Sequence, residues 1–461
     1  MATRKAPQEV AVFAHIAEGR ERAQRFVPAG LLRRELAAPG QAPAQSFTYG
    51  LRYLARPEAF EVDPRALRLG DRKAVRGVAL YPMPGLDEFG GIRDAAPDAW
   101  GRRVIEAQLR VPANSLDEFT YLLEAGSDRV GALDVRESIE SGPGTPAGAL
   151  TSLPYLLQAA AAVEAGEEIP ANLLPYLGGA PSAGGARPKA SVRDEQGLLW
   201  LAKFPSRGDA VDMAVVECAT LELARRAGMT VPPLKLHQVA GRSLLLIRRF
   251  DRYWAQPKQL PEPGAWAHNT QPMPGWVEGR VPQVSGLTLV GCSEQESIGT
   301  GYKQLAAAIR ECVHPSFIAR DCEELFARMV FNIFVTNDDD HLRNHAFVYD
   351  AAMGGWRLSP LYDVVPRPMV AHERLLHLGV GRQGRLATLD NALSEHSAFI
   401  PDRPNAVAAV RRVWGAVREW QVCFEQMGAS APLIQTMGLA IRKLEDIASS
   451  ELVKEIRRSA A

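Results

Sequence analysis

The run VTNDDDHLRNHAFVYD, Val335 to Asp350, sets three consecutive aspartates, two histidines and two asparagines directly after a strongly apolar segment. Carboxylates and imidazoles this dense could bind a metal or move a proton. A calcium loop is excluded by spacing: counted from Asp338, the sixth position is Arg343 rather than glycine and the twelfth is Tyr349 rather than glutamate. HLRNH lacks the glutamate of the zinc motif H-E-x-x-H. A solvated turn is the plain alternative. Anions at a helix C-terminus oppose the dipole, however, and call for a compensating cation. Downstream, HAFVYD reads as a strand, AAMGG as a turn and WRLSPLYD as the return strand. Such a hairpin brings Asp363 toward Asp339 and Asn344, a set of carboxylates and a carboxamide that suits Mg²⁺.

Two further stretches could handle phosphate. In SAGGARPKAS, small residues let backbone N–H groups face a concavity, and Lys189 adds positive charge. A plain connector is the competing reading, and the stretch is not a Walker loop. Lys203 shares one face of a predicted strand with Leu199 and Leu201, while Trp200, Ala202 and Phe204 take the other. An inward lysine calls for a partner. Glu217, on the next helix with Leu221 and Ala224, is the candidate, against the alternative of a surface pair. The chain order is Gly-rich loop, strand lysine, helix glutamate, apolar strand, helix, Asp-x-x-x-x-Asn loop, hairpin and Asp. That is the order of parts in phosphoryl transfer by kinases.

The elements that must hold these residues lie in a chain of 461 residues, long enough for two or three lobes. Strands are predicted at Val10–His15, Ser46–Tyr49, Val75–Tyr81 and over SLLLIRRF, with helices over DAWGRRVIEAQLR, Leu156–Glu164 and Asp209–Ala227. Beyond Tyr253–Val284, whose six prolines and three tryptophans read as an inserted loop, helices are predicted at Tyr302–Glu311, Arg320–Val335, Val407–Gln426 and Ser430–Arg458. A mixed α/β N-terminal part therefore precedes a largely helical C-terminal part, and a cleft between them is the expected ligand site. Lysine plus arginine equals aspartate plus glutamate, 53 against 53, which argues against a protein whose main task is holding DNA or an anionic membrane. Five scattered cysteines with no C-x-x-C, no secretion signal and no membrane-length apolar run lead us to expect a cytoplasmic protein with reduced thiols.

The stretches GGARPK, LAKFP, VVECATLELA, IRRFDR, NDDDHLRNHAFVYD and LSPLYDVVP resemble the HipA-like serine/threonine kinases, toxins of bacterial toxin–antitoxin pairs. GLLRRELAAPGQAPAQSFTYGLRYL and RDAAPDAWGRR resemble the amino-terminal module of that family. The resemblance implies an α+β, two-lobed protein-kinase-like fold. Its parts are a HipA-like module over 1–140, a kinase N-lobe over 150–252, the Pro/Trp-rich insertion over 253–284, and a helical C-lobe over 285–461.

The resemblance also implies ATP and Mg²⁺ as cofactors. Asp339 is the expected catalytic base, and Asn344 and Asp363 the metal ligands. Gly185, Ala186, Arg187, Lys189, Lys203, Arg248, Phe250, His341 and Asp363 are expected around ATP, with Glu217 paired to Lys203. His341 braces the catalytic loop, His345 is structural, and Ser182 falls where the family autophosphorylates. Arg187, Pro188 and Asp340 depart from the family pattern. Implied partners are a small helix-turn-helix antitoxin, DNA only through that antitoxin, and a protein substrate such as an aminoacyl-tRNA synthetase, with no membrane. Two other functions fit the same parts: a pseudokinase acting as corepressor, and a small-molecule kinase.

Overall fold

The computed structural model describes residues 7–35, 45–144, 148–174, 185–264 and 272–458. The chain divides into two compact units: Met1–Gly208 with His237–Gly291 and Val348–Gly354, and Asp209–Leu236 with Cys292–Phe347 and Gly355–Ala461.

The first unit opens with β1 (Glu9–Glu18), β2 (Ala23–Arg34) and β3 (Gln45–Tyr49). With β4 (Leu133–Arg136) they form a sheet in the order β3-β2-β1-β4. EVAVFAHIAE is almost continuously apolar because β1 is central and packed on both faces. The register slips between Val12, opposite Gly30, and Phe13, opposite Pro28. A bulge is where a strand accommodates a proline, which has no N–H to donate. Val75–Tyr81 forms no strand, contrary to its pattern; Leu80 alone bridges to Phe47.

Between these strands lies α1 (Ala99–Leu109), capped by Asp98, whose carboxylate accepts from the Gly101 N–H at 2.8 Å. Helix α2 (Leu153–Ala165) precedes the antiparallel strands β5 (Lys189–Arg193), β6 (Leu199–Lys203) and β7 (Arg242–Arg248). The period-two reading of β6 holds. Trp200, Ala202 and Phe204 are buried in one core with Trp100, Leu156 and Val163, each large side chain contributing about 1.5 to 3 kcal/mol. Lys203 is left on the opposite face.

The segment expected as an inserted loop carries β8 (Arg252–Ala255) and β9 (Val277–Arg280), paired antiparallel. Tyr253, Trp254 and Val277 favour strand, and Arg193 fixes β9 with a bidentate pair to Glu278 at 2.9 Å. Beside it, the buried Asp251 accepts from Arg249 Nε (2.9 Å), Arg252 Nη1 (2.6 Å) and the Gly131 N–H (2.8 Å). Burial alone would raise its carboxyl, but the two guanidiniums hold it well below the usual carboxylate range. Arg249 and Arg252 also donate to the Arg129 carbonyl, which ties the β7–β8 corner to the loop before β4.

In the second unit, α3 (Met213–Arg226) is capped by Asp212 and ends before Gly228 at φ 89°. Helices α4 (Tyr302–Cys312) and α5 (Ile318–Val335) follow. From Leu325 to Val335 every residue of α5 is buried; all are apolar except Arg328 and Asn332, whose side chains are hydrogen-bonded. Strands β10 (Ala346–Asp350) and β11 (Gly355–Leu358) form the predicted hairpin, of which Val348–Gly354 is assigned to the first unit, with the Ser359 N–H donating to the Ala346 carbonyl at 2.9 Å.

The C-terminal stretch departs from two long helices. Val407–Gln426 divides into α6 (Arg403–Val417) and α7 (Trp420–Gln426). Ser430–Arg458 divides into α8 (Ala431–Met437), α9 (Leu444–Ile447) and α10 (Ser450–Arg458). Gly438 ends α8, and the Arg442 N–H is drawn away to the Phe334 carbonyl at 2.7 Å before an Asp446 capping box starts α9. Helix α3 packs its Val215, Val216 and Ala219 against Phe424 of α7 and Leu433 and Met437 of α8. The five cysteines are free thiols, four of them buried.

Because Asp251 is held ionised by its partners, its stabilisation is present above about pH 4 and is lost as the pH falls below the carboxylate range. Asp251→Ala should cost about 3 to 5 kcal/mol in urea unfolding at pH 7, since Arg249 and Arg252 stay buried without it. A loss below about 1 kcal/mol would contradict this role.

Candidate active site

The three aspartates after α5 face three different environments. The helix ends at Thr336, a β-branched residue in the left-handed region (φ 53°), where its Oγ1 donates to the Ala440 carbonyl at 2.6 Å. Asp338 turns to Arg367, with Nε–Oδ1 at 3.1 Å. Asp339 is exposed. Asp340 is 2 % exposed, and His345 Nε2 lies 3.2 Å from both of its oxygens. The Tyr302 hydroxyl also donates to Asp340 and accepts from Asn332 Nδ2 at 3.0 Å. Asn332 Oδ1 in turn accepts from Asn337 Nδ2 at 3.1 Å.

Burial would raise the Asp340 carboxyl, but His345 and then the Tyr302 hydroxyl hold it below its ordinary range. Burial and the adjacent Asp340 charge push the Tyr302 phenol well up, so the tyrosine stays protonated and donates. Tyr302 reaches this position because Gly301 passes flush against Gly379: a Cβ on Gly301 would sit 2.6 Å from the Gly379 carbonyl oxygen.

This buried chain fixes the backbone on either side of Asp339. The Asp339 carbonyl accepts from the His341 N–H at 2.9 Å and from Asn344 Nδ2 at 3.0 Å. With its amide nitrogen so committed, the buried Asn344 keeps Oδ1 available as a ligand oxygen. The Tyr362 hydroxyl donates to the Arg343 carbonyl at 2.6 Å, which brings the segment carrying Asp363 back to the loop. Asp363 itself is half-buried in the left-handed region, φ 58°. Among the described residues no group of three or more His, Cys, Asp or Glu is placed to hold a metal. One carboxylate and one carboxamide oxygen fit Mg²⁺, which completes its shell with water and phosphate.

The His341 ring meets that of His377 edge-on, centroids 5.9 Å apart. His341 Nδ1 and His377 Nε2 are buried without a partner, and burial lowers His377 below its usual range. His345, expected to be structural, is fully buried against Asp340.

In the first unit, β5 and β6 place Lys189 opposite Lys203. Lys203 is half-buried, beside Leu245 of β7. Lys189, expected to lend its charge to phosphate, is instead 3 % exposed. Its Nζ lies 2.9 Å from Asp98 Oδ2 and 2.9 Å from the Gly185 carbonyl. Burial raises the Asp98 carboxyl while Lys189 draws it down. Trp100 donates from Nε1 to the Lys189 carbonyl at 2.9 Å, so DAW in α1 clamps the end of the Gly-rich loop. Gly185 takes φ 92°, and Ala186 and Arg187 follow it before β5. Arg248 ends β7, buried, with its guanidinium drawn below its usual value by that burial, and Phe250 packs against Tyr253 and Val281. Glu217 is buried on α3 in the second unit. Ser182 lies outside the described residues.

Asp98, Tyr302, Asn332 and His377 were missed from the sequence. Asp98 alone had a local signal, as an N-cap before AWGRR; the others meet the site only through long-range packing.

A loop presenting an Asp, an Asn five residues later and an Asp beyond a hairpin defines a kinase-like arrangement on a mixed α/β fold. The sequence pattern of the HipA-like C-terminal domain matches residues 181–421, just over half of the chain, and the chain belongs to that family. A "Putative kinase" of Haemophilus influenzae is 26% identical over 208 residues, covering 43% of this chain and 55% of that protein. The chain thus spans only about half the length of that relative. "Putative kinase Y4mE" of Sinorhizobium fredii is 26% identical over 334 residues, 66% of this chain and 69% of that protein. The toxin–antitoxin complex of HipA, HipB and operator DNA from Shewanella oneidensis MR-1 contains a chain of the same fold, with TM-score 0.58, 14% identity and 97% of both chains covered.

Removing a partner from the buried chain should loosen the catalytic loop. We expect Asp340→Ala to cost about 3 to 5 kcal/mol and Tyr302→Phe about 1 to 3 kcal/mol in urea unfolding at pH 7. The Asp340 contribution should fade as the pH falls below about 4, since its folded-state carboxyl is the more acidic one. A Tyr302→Phe protein as stable as the parent would rule out this bracing.

Proposed function

We propose that the protein is an ATP- and Mg²⁺-dependent kinase that phosphorylates serine or threonine of a cellular protein and acts as a growth-inhibiting toxin. The observation that carries this reading is Asp339, exposed between an ion-paired Asp338 and a buried Asp340, with the Asn344 amide oriented by the Asp339 carbonyl.

In this reading Asp339 accepts the proton of the attacking hydroxyl, a role worth about 10² to 10⁴ in rate. Asn344 Oδ1 and the Asp363 carboxylate would hold Mg²⁺, which would supply positive charge for the phosphate oxygens. Lys203 contacts the phosphates and pairs with Glu217. Gly185, Ala186 and Arg187 line the phosphate side, with Arg187 supplying the charge that Lys189 commits to Asp98. Backbone groups around Arg248 and Phe250 meet adenine, and His341 braces the loop. Ser182 is the proposed autophosphorylation site, where a phosphate would repel the nucleotide.

The fold shared with the HipA–HipB–DNA complex supports a small DNA-binding antitoxin as partner, with DNA engaged through it. The protein substrate, an aminoacyl-tRNA synthetase in the family resemblance, is part of the same proposal.

The test is phosphate transfer from ATP by the full chain, read by intact-mass and peptide mass spectrometry. The parent should gain phosphate at Ser182, and Asp339→Ala should lose transfer by about 10² to 10⁴-fold. Equal transfer by parent and Asp339→Ala would overturn the kinase reading. Labelling at a residue other than Ser182 would overturn the autophosphorylation assignment alone.

A further inference from the structure

The first unit holds a cavity of about 410 Å³ that belongs to none of the residues assigned above. It lies within the size range of small-molecule sites. Its lining has two chemistries. Phe60 and Tyr349, with ring centroids 5.9 Å apart, form an aromatic wall with Pro282 and Ala17. Arg22, His15 and Arg280 contribute the polar groups, joined by Tyr253. His15 Nδ1 is buried and unpartnered, and no carboxylate pairs with the half-buried Arg22 among the described residues. The one acidic lining residue, Glu58, accepts from the Gly19 N–H at 3.0 Å.

Behind the cationic side lies the charge cluster that joins the β7–β8 corner to the loop before β4. Arg193, Arg249, Arg252 and Arg280 share Asp128, Asp251 and Glu278, while Arg129 and Arg136 pair with Asp134. Of these, Arg280 also lines the cavity. Burial and the neighbouring Arg252 push the Arg280 guanidinium down to about 9, and burial with Arg280 and Arg252 keeps His15 well below its usual range.

We propose that this cavity is a binding site for a small organic anion bearing an aromatic ring, with the ring against Phe60 and Tyr349 and the anionic group facing Arg22 and Arg280. The ligand's negative charge meets Arg22, which has no carboxylate partner among the described residues. Arg22 is the specificity-determining residue that can be changed without disturbing the fold, because it stands outside the buried ion pairs. The proposal is independent of the kinase reading, since none of its residues serves the proposed nucleotide site.

The experiment is calorimetric titration of the full chain with 2-naphthoate as probe, beside the neutral 2-naphthamide, with melting curves confirming that each variant is folded. The parent should bind 2-naphthoate saturably and at least about ten-fold more tightly than 2-naphthamide, the difference a charge-assisted contact makes. Arg22→Glu should weaken 2-naphthoate by about ten-fold or more, and Arg22→Lys should restore most of it. Absence of saturable binding, equal affinity for acid and amide, or an Arg22→Glu protein that binds as the parent does would each overturn the proposal.

Discussion

The candidate site depends on one buried carboxylate. Asp340 is enclosed between His345 and the Tyr302 hydroxyl, and Tyr302 is tied through Asn332 to Asn337 at the start of the loop. A charge buried this deeply survives only with partners around it, so the loop has one geometry in which Asp340 faces inward. Its neighbour Asp339 must then face outward, and Asn344 closes the turn on the Asp339 carbonyl. The order of residues that looked like an excess of acid is thus a division of labour: one aspartate pairs with Arg367, one is exposed, and one holds the turn.

A comparable logic governs the strand-lysine sheet. Asp251 draws Arg249 and Arg252 together, and their Nη groups also reach the carbonyls of Asp128, Arg129 and Gly131. The motif IRRFDR, which resembles the family at the level of sequence, therefore serves as a joint within the first unit. Asp98 and Trp100 act similarly at the Gly-rich loop, where Lys189 anchors rather than projects. The cost is that its ammonium is unavailable to a ligand in this geometry.

Much of this was legible because it is local. Period-two alternation placed Lys203 apart from Trp200 and Phe204, the α5 run ended where the motif begins, and the HAFVYD–WRLSPLYD hairpin formed as its turn residues indicate. What could not be read is what depends on distant contacts. Nothing near Tyr302 announces that a glycine crossing against Gly379 will deliver its hydroxyl to Asp340, and nothing near Lys189 points to Asp98. The 253–284 segment misled because its prolines and tryptophans masked two short strands whose pairing is secured by Arg193 and Glu278. The C-terminal helix fragmented for a similar reason: at Gly438 the bond from Arg442 to Phe334 outweighs helix propensity.

The central claim is that Asn344 and Asp363 hold Mg²⁺ for a nucleotide whose phosphates Lys203 meets. Its most direct measurement is calorimetric titration of the full chain with ATP in the presence of Mg²⁺ and of EDTA. The account predicts that ATP binds markedly more tightly with Mg²⁺, and that Asp363→Ala abolishes this metal dependence while Lys203→Met weakens ATP under both conditions. Equal ATP affinity with and without Mg²⁺ in the parent, or an unaltered metal dependence in Asp363→Ala, would contradict it.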